Sequence, residues 1–210
     1  MKTFKSSGCH IKHTVLWHGF IAMILTGCMG ATAVPEDHYY RLPPITATES
    51  FKQPIFENGI SVAEFALQGL PDSRSILYIK PEHPHEINTY YYRHWVDTPT
   101  ELVQSGFVEY LRSTGVTPRV EAMSGHDPAF AYMISGNLQR FERELTKKHP
   151  VIIVAMEIIF TDKKSTQKSF QKIYQAEIPA DDFTMDATVA SFAKALGKIY
   201  RDFTSDLSAK

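Results

Sequence analysis

The stretch from Val151 to Thr161 constrains the fold more than any other part of this 210-residue chain. Ile152, Val154, Met156, Ile158 and Phe160 share one parity, and the other parity holds Val151, Ile153, Ala155 and Ile159 with Glu157 as its only charge. Successive side chains of a strand point to opposite faces, so this strand is apolar on both and belongs in the middle of a sheet. The Lys163-Lys164-Ser165 turn leads to Phe170, Tyr174, Ala176 and Ile178, which read as its hairpin partner. Upstream, Tyr132, Ile134 and Leu138 share a parity that Gly136 interrupts, and residues 137 to 145 also suit a helix.

The earlier chain reads as shorter strands. Tyr39, Tyr40 and Leu42 are stopped by Pro43-Pro44, and residues 44 to 59, with Pro54 and Asn58-Gly59, form a loop. Ile60, Val62, Ala63, Phe65 and Leu67 predict a second strand ending at Gly69-Leu70-Pro71. Ser75 to Lys80 and Ile87 to His94 are β-branched and aromatic runs separated by Pro81 and Pro84, which suits a connected pair of strands. A helix follows: Thr98 caps it, Pro99 takes the first position where a missing N–H costs nothing, and Glu101 completes a capping box. Val103, Phe107, Tyr110 and Leu111 fall on one face, and Gly115 ends it. A longer amphipathic helix closes the chain, with Thr184 as cap and Val189, Phe192, Leu196, Ile199, Phe203 and Leu207 spaced by three or four. The expected fold is α+β, a two-layer domain with a mainly antiparallel sheet and two helices packed on one face.

The first residues have another character. Lys2, Lys5 and Lys12 precede an apolar run from Val15 to Thr26, and no carboxylate occurs before Glu36. These are the charged and apolar parts of an export signal. The run falls short of the roughly 20 apolar residues that span a bilayer. It closes on Leu25-Thr26-Gly27-Cys28, a lipobox in which Leu25, Thr26 and Gly27 would be read by the signal peptidase and Cys28 would carry the lipid. Ala31-Thr32-Ala33 offers a competing cleavage site after Ala33. The expected organisation is a signal peptide over 1–27, a lipidated tether over 28–37 and one domain over 38–210.

Cys9 would leave with the leader and Cys28 would be taken by lipid, so the domain has no thiol for a disulfide, a nucleophile or a metal. Removing residues 1–27 takes three lysines and no acid from a chain with 22 basic and 23 acidic side chains, leaving the remainder acidic by four charges. Such a domain lacks the basic footprint of nucleic-acid binding and a polybasic patch for anionic lipid.

Residues that could carry chemistry are few. Ser124-Gly125-His126-Asp127 holds the residue types of a hydrolase triad, but immediate neighbours cannot converge as nucleophile, base and orienter must, and a polar turn is the simpler reading. Glu82-His83-Pro84-His85-Glu86 could present two imidazoles to a metal, yet no third ligand is evident. No phosphate-binding glycine loop or dinucleotide fingerprint occurs. Catalysis is possible on these residues but unsupported by them, and the expectation is no metal and no cofactor beyond the covalent lipid. Tyr90-Tyr91-Tyr92 with Trp95 and Phe107 reads either as core or as contact surface, with Tyr91, Tyr92 and Trp95 the candidate partner contacts.

In order along the chain, the lipobox, the tether, Tyr39-Tyr40-Arg41-Leu42-Pro43, the junction Arg93-His94-Trp95-Val96-Asp97-Thr98-Pro99 into a helix and the long last helix resemble the ABC-type transport auxiliary lipoproteins, the PqiC-like family. The resemblance implies a non-enzymatic lipoprotein on the periplasmic face of the outer membrane. Its implied partners are an MCE-domain periplasmic protein and an inner-membrane ABC permease and ATPase that move lipid between membranes. It also implies a capacity to assemble into homo-oligomeric rings. The alternatives are a scaffold lipoprotein of another envelope export machine and an envelope hydrolase using His126 or His83 and His85.

Overall fold

The computed structural model describes Thr3 and residues 35–123, 129–146, 148–164 and 168–209. The chain divides into two units, Met1–Glu36 and Asp37–Lys210. The elements of the second unit are β1 (His38–Tyr40), β2 (Ile60–Ala63), β3 (Ala66–Leu67), β4 (Ser75–Lys80), β5 (His83–Trp95), α1 (Pro99–Thr114), β6 (Val120–Met123), β7 (Tyr132–Glu144), β8 (Val151–Asp162), β9 (Lys168–Pro179) and α2 (Met185–Ser208). Among the described residues this is an α+β fold with two helices and one large open sheet.

The doubly apolar stretch is β8, and it is flanked on both edges, one strand in from the end of the sheet: β7 pairs with it antiparallel from Tyr132↔Asp162 to Glu144↔Val151, and β9 pairs along its other edge. Residues 137 to 145 therefore extend a strand rather than a helix. Gly136 belongs to that ladder, because a Cβ there would lie 1.9 Å from the Glu157 carbonyl oxygen and 2.8 Å from the Phe65 ring.

The second edge of β7 carries three strands in series, all parallel to it: β2 opposite 132–134, β3 opposite 137–138 and β4 opposite 142–144. Beyond them lie β6, parallel to β2, and β5 with β1. Among the described residues five pairings are parallel, but the long ladders are antiparallel. The single strand expected over 60–67 is broken. Val62 pairs with Ile134 and Ala66 with Asn137, so four steps on one side meet three on the other. The extra residue turns Phe65 into the core while the Glu64 carboxylate accepts a hydrogen bond from Thr100 Oγ1 at 3.0 Å.

Strand β5 is longer than expected and starts at His83, so Pro84 lies inside it. β1 reaches only Arg93 to Trp95, and over the first part of β5 the outer edge has no partner among the described residues, so a missing N–H is tolerated there.

Both helices begin as their sequences require. The Thr98 hydroxyl accepts from Glu101 N, the Glu101 carboxylate accepts from Thr98 N at 2.8 Å, and Gly115 closes α1 at φ 66°. The Thr184 hydroxyl accepts from Ala187 N at the start of α2. One buried cluster joins Val103, Phe107 and Leu111 of α1, Phe192, Leu196, Ile199 and Phe203 of α2, and Ile152, Val154, Met156, Ile158 and Phe160 of β8. At its centre Phe107 stacks on Tyr200 at 4.4 Å with Phe203 edge-on at 5.1 Å. The Tyr200 hydroxyl donates to the Val103 carbonyl at 2.9 Å, and full burial pushes its phenol far above the ordinary range.

Candidate functional site

The three consecutive tyrosines sit in an irregular part of β5. Leu77 pairs with Thr89 and Ser75 with His94, so two steps along β4 are matched by five along β5. The three surplus residues bulge from the ladder, and the simple alternation of faces is lost between Tyr90 and Arg93. Tyr90 turns toward the core cluster and packs on Tyr78 at 4.4 Å. Tyr91 is thrown outward, 85% exposed, and Tyr92 is 43% exposed. Ile87 earlier on β5 and Tyr39 on β1 are also exposed. Tyr39 lies 5.5 Å from the His94 ring, and the Arg74 guanidinium is 6.0 Å from its centroid.

Trp95 does not join this surface. It is 1% exposed, edge-on to Phe192 at 5.1 Å and 5.7 Å from Phe141. The expectation of a partner contact at Trp95 is therefore corrected: the bulge ends before it, β1 pins the strand there through Tyr40↔Trp95, and the indole falls inward.

Beneath the tyrosines lies a group that sequence reasoning missed. Arg143 of β7 is 2% exposed. Its Nη1 donates to the Tyr90 hydroxyl at 3.0 Å and its Nη2 to the Phe183 carbonyl at 2.7 Å, while Nε has no partner among the described residues. A buried guanidinium held by neutral oxygens ties the end of β7 to β5 and to the loop before α2. Nearby, hydrogen bonds from Thr184 hold the Asp182 carboxyl below its ordinary range, with smaller contributions from Arg143 and His149. No local pattern marks it: position 143 has the opposite parity to Tyr132, Ile134 and Leu138, and the register shift between Leu138 and Arg140 brings it to the same side as Phe141.

His83 and His85 are exposed on the hairpin between β4 and β5, and among the described residues no cluster of three or more His, Cys, Asp or Glu side chains forms. Leu25, Thr26, Gly27 and Cys28 lie outside the described residues, as do Ser124, Gly125, His126 and Asp127. No helix among the described residues is long and apolar enough to cross a membrane.

No family model matches the chain, and no curated protein does. Solved structures do. Protein XCC0632 from Xanthomonas campestris, of the family DUF330, is 17% identical, superposes with a TM-score of 0.66 and matches over 80% of this chain and 92% of its own. An uncharacterized protein is 11% identical with a TM-score of 0.65, over 82% of this chain and 99% of its own. At such identities the likeness shows a shared fold: this chain is built on the same α+β architecture as the Xanthomonas protein.

Proposed function

We propose that this protein is an outer-membrane lipoprotein, held at the periplasmic face by lipid on Cys28, that serves as a non-enzymatic auxiliary component of an MCE/ABC-type intermembrane lipid transport system. Its role is to dock the periplasmic MCE-domain protein, and through it the inner-membrane permease and ATPase, at the outer membrane. The observation that carries this reading is the aromatic bulge. A tyrosine 85% exposed beside a second, half-exposed one, on a strand edge that among the described residues is unpaired over most of its length, has no role in the core, whereas exposed aromatics are frequent anchors of protein contacts. The lipobox supplies the other half of a tether.

The rest of the fold would then be a rigid mount. We infer a two-layer build with both helices on one sheet face, supported by the shared cluster of α1, α2 and one parity of β8. Copurification tests the docking role: full-length tagged protein, extracted in mild detergent, should bring down an MCE-domain protein, and Tyr91→Ala with Tyr92→Ala should reduce recovery at least about tenfold, a loss of about 1.4 kcal/mol in affinity. Recovery of no such protein by the unaltered chain would end this reading.

A further inference from the structure

An open groove of about 580 Å³ lies between the loop over residues 43–48 and helix α2, on elements that take no part in the aromatic bulge. Its floor is built from small side chains. Ala190, Ala193 and Gly197 recur at helical spacing along one stripe of α2, and a Cβ on Gly197 would come within 3.4 Å of Ile45. The opposite wall is Pro43-Pro44-Ile45. That wall is fixed: Ile45 is buried, the Ala47 amide donates to Ser113 Oγ at 2.8 Å, and the Phe51 amide donates to the Thr114 carbonyl at 2.8 Å. The groove is therefore preformed.

Its rim is cationic within a domain that is acidic overall. Lys194, Lys198 and Arg201 line it. Lys194 lies 3.5 Å from Asp181 in an exposed pair, and Lys198 lies 2.6 Å from Asp202. Such exposed pairs are weak and exchange readily with a better anion. Arg201 has no carboxylate partner among the described residues.

The independent observation is Tyr110. It lines the groove yet is only 5% exposed, its ring tilted against Tyr200 at 5.6 Å. Its hydroxyl has no hydrogen-bond partner among the described residues, although the neighbouring Tyr200 hydroxyl has one. Burial raises its phenol, which stays protonated as a donor, while Arg201 and Asp202 act on it in opposite directions. Although the residue is nearly buried, its hydroxyl is open to the groove beside Arg201 and is placed to donate to a ligand oxygen.

We propose that this groove binds a single-chain anionic amphiphile, with its acyl chain along Ala190, Ala193 and Gly197 and its phosphate or carboxylate head at Tyr110, Lys198 and Arg201. The volume falls within the range of small-molecule sites. An extended peptide fits less well, because it would bring backbone N–H and C=O groups against an apolar floor whose own helical backbone is already paired. An acyl chain brings none. The inference deepens the transport reading and rests on it for the origin of the amphiphile, which could be a fatty acid or a lysophospholipid, the shared chemistry being one chain and one anionic head.

The test uses full-length protein in nanodiscs of zwitterionic lipid and a photoactivatable dodecyl phosphate as probe. After illumination, mass spectrometry should find the adduct on peptides covering residues 43–48 and 190–201. Gly197→Trp, which fills the floor, should reduce labelling at least about tenfold, and so should Lys198→Glu combined with Arg201→Glu, a surface change that leaves the core untouched. Unlabelled laurate and a lysophospholipid should compete, their order identifying the source, whereas inorganic phosphate should not. Labelling elsewhere, labelling unchanged in both variants, equal labelling by an uncharged dodecyl alcohol probe, or competition by inorganic phosphate as strong as by laurate would each overturn the proposal. Running the copurification on the same variants separates the two ideas, since loss of labelling with docking retained leaves the tether reading intact.

Discussion

Tyr91 stands inside the β5 bulge and Trp95 just beyond it, and this difference of a few positions separates a surface residue from a core one. Trp95 packs against the contacting pair Phe141 and Phe192, so Trp95→Ala leaves a cavity and should cost about 3–5 kcal/mol. Tyr91→Ala, at an exposed position, should stay within about 0.5 kcal/mol. Paired urea denaturation curves of the two variants check this, and equal losses would mean that the bulge is not where the pairing places it. Gly136 is the other decisive residue. Gly136→Ala sets a methyl group against the backbone of β8 and should destabilise by about 3 kcal/mol through strain alone. The sequence shows Gly136 only as an interruption of parity; its necessity comes from a carbonyl of another strand. Arg143 is likewise unreadable as a buried clamp until Tyr90 and Phe183, distant in the chain, are brought to it.

At the scale of the element, helix α1 is the most legible part of the molecule. Thr98, Pro99, Glu101 and Gly115 specify its ends by local hydrogen bonding and backbone geometry, and the structure has all four in those roles. Thr98→Ala should cost about 1 kcal/mol. Hydrogen bonds from the Thr98 amide and hydroxyl hold the Glu101 carboxyl below its ordinary range. A lowered carboxylate contributes stability that is complete above its unfolded-state value and is lost as pH falls through the folded-state value. Thermal melts across the acid range should show that loss, and Glu101→Gln should flatten it; an unchanged profile would mean that the box is not formed in solution. The strands are less legible. Alternation locates β4, β8 and β9, but the break between β2 and β3 and the bulge in β5 arise from register against β7 and β4, which no local pattern encodes.

On the scale of the whole molecule, the proposed tether joins a lipid at Cys28 to a rigid domain. Under that reading Cys28→Ala should leave the domain folded yet move it from the membrane to the soluble periplasmic fraction, and it should abolish activity in cells. Full activity of the unlipidated protein would remove anchoring from the function. By itself the sequence determined the doubly apolar inner strand, the capped helices, the α+β class and the lack of a thiol beyond Cys9 and Cys28, because each depends on neighbours a few positions away. Only the tertiary structure decided that β2, β3 and β4 run in series and parallel along β7, that Trp95 is core while Tyr91 is surface, and that loop 43–48 closes a groove over α2. Those features depend on which distant segments meet and in what register, and register is set by the packing of the whole core.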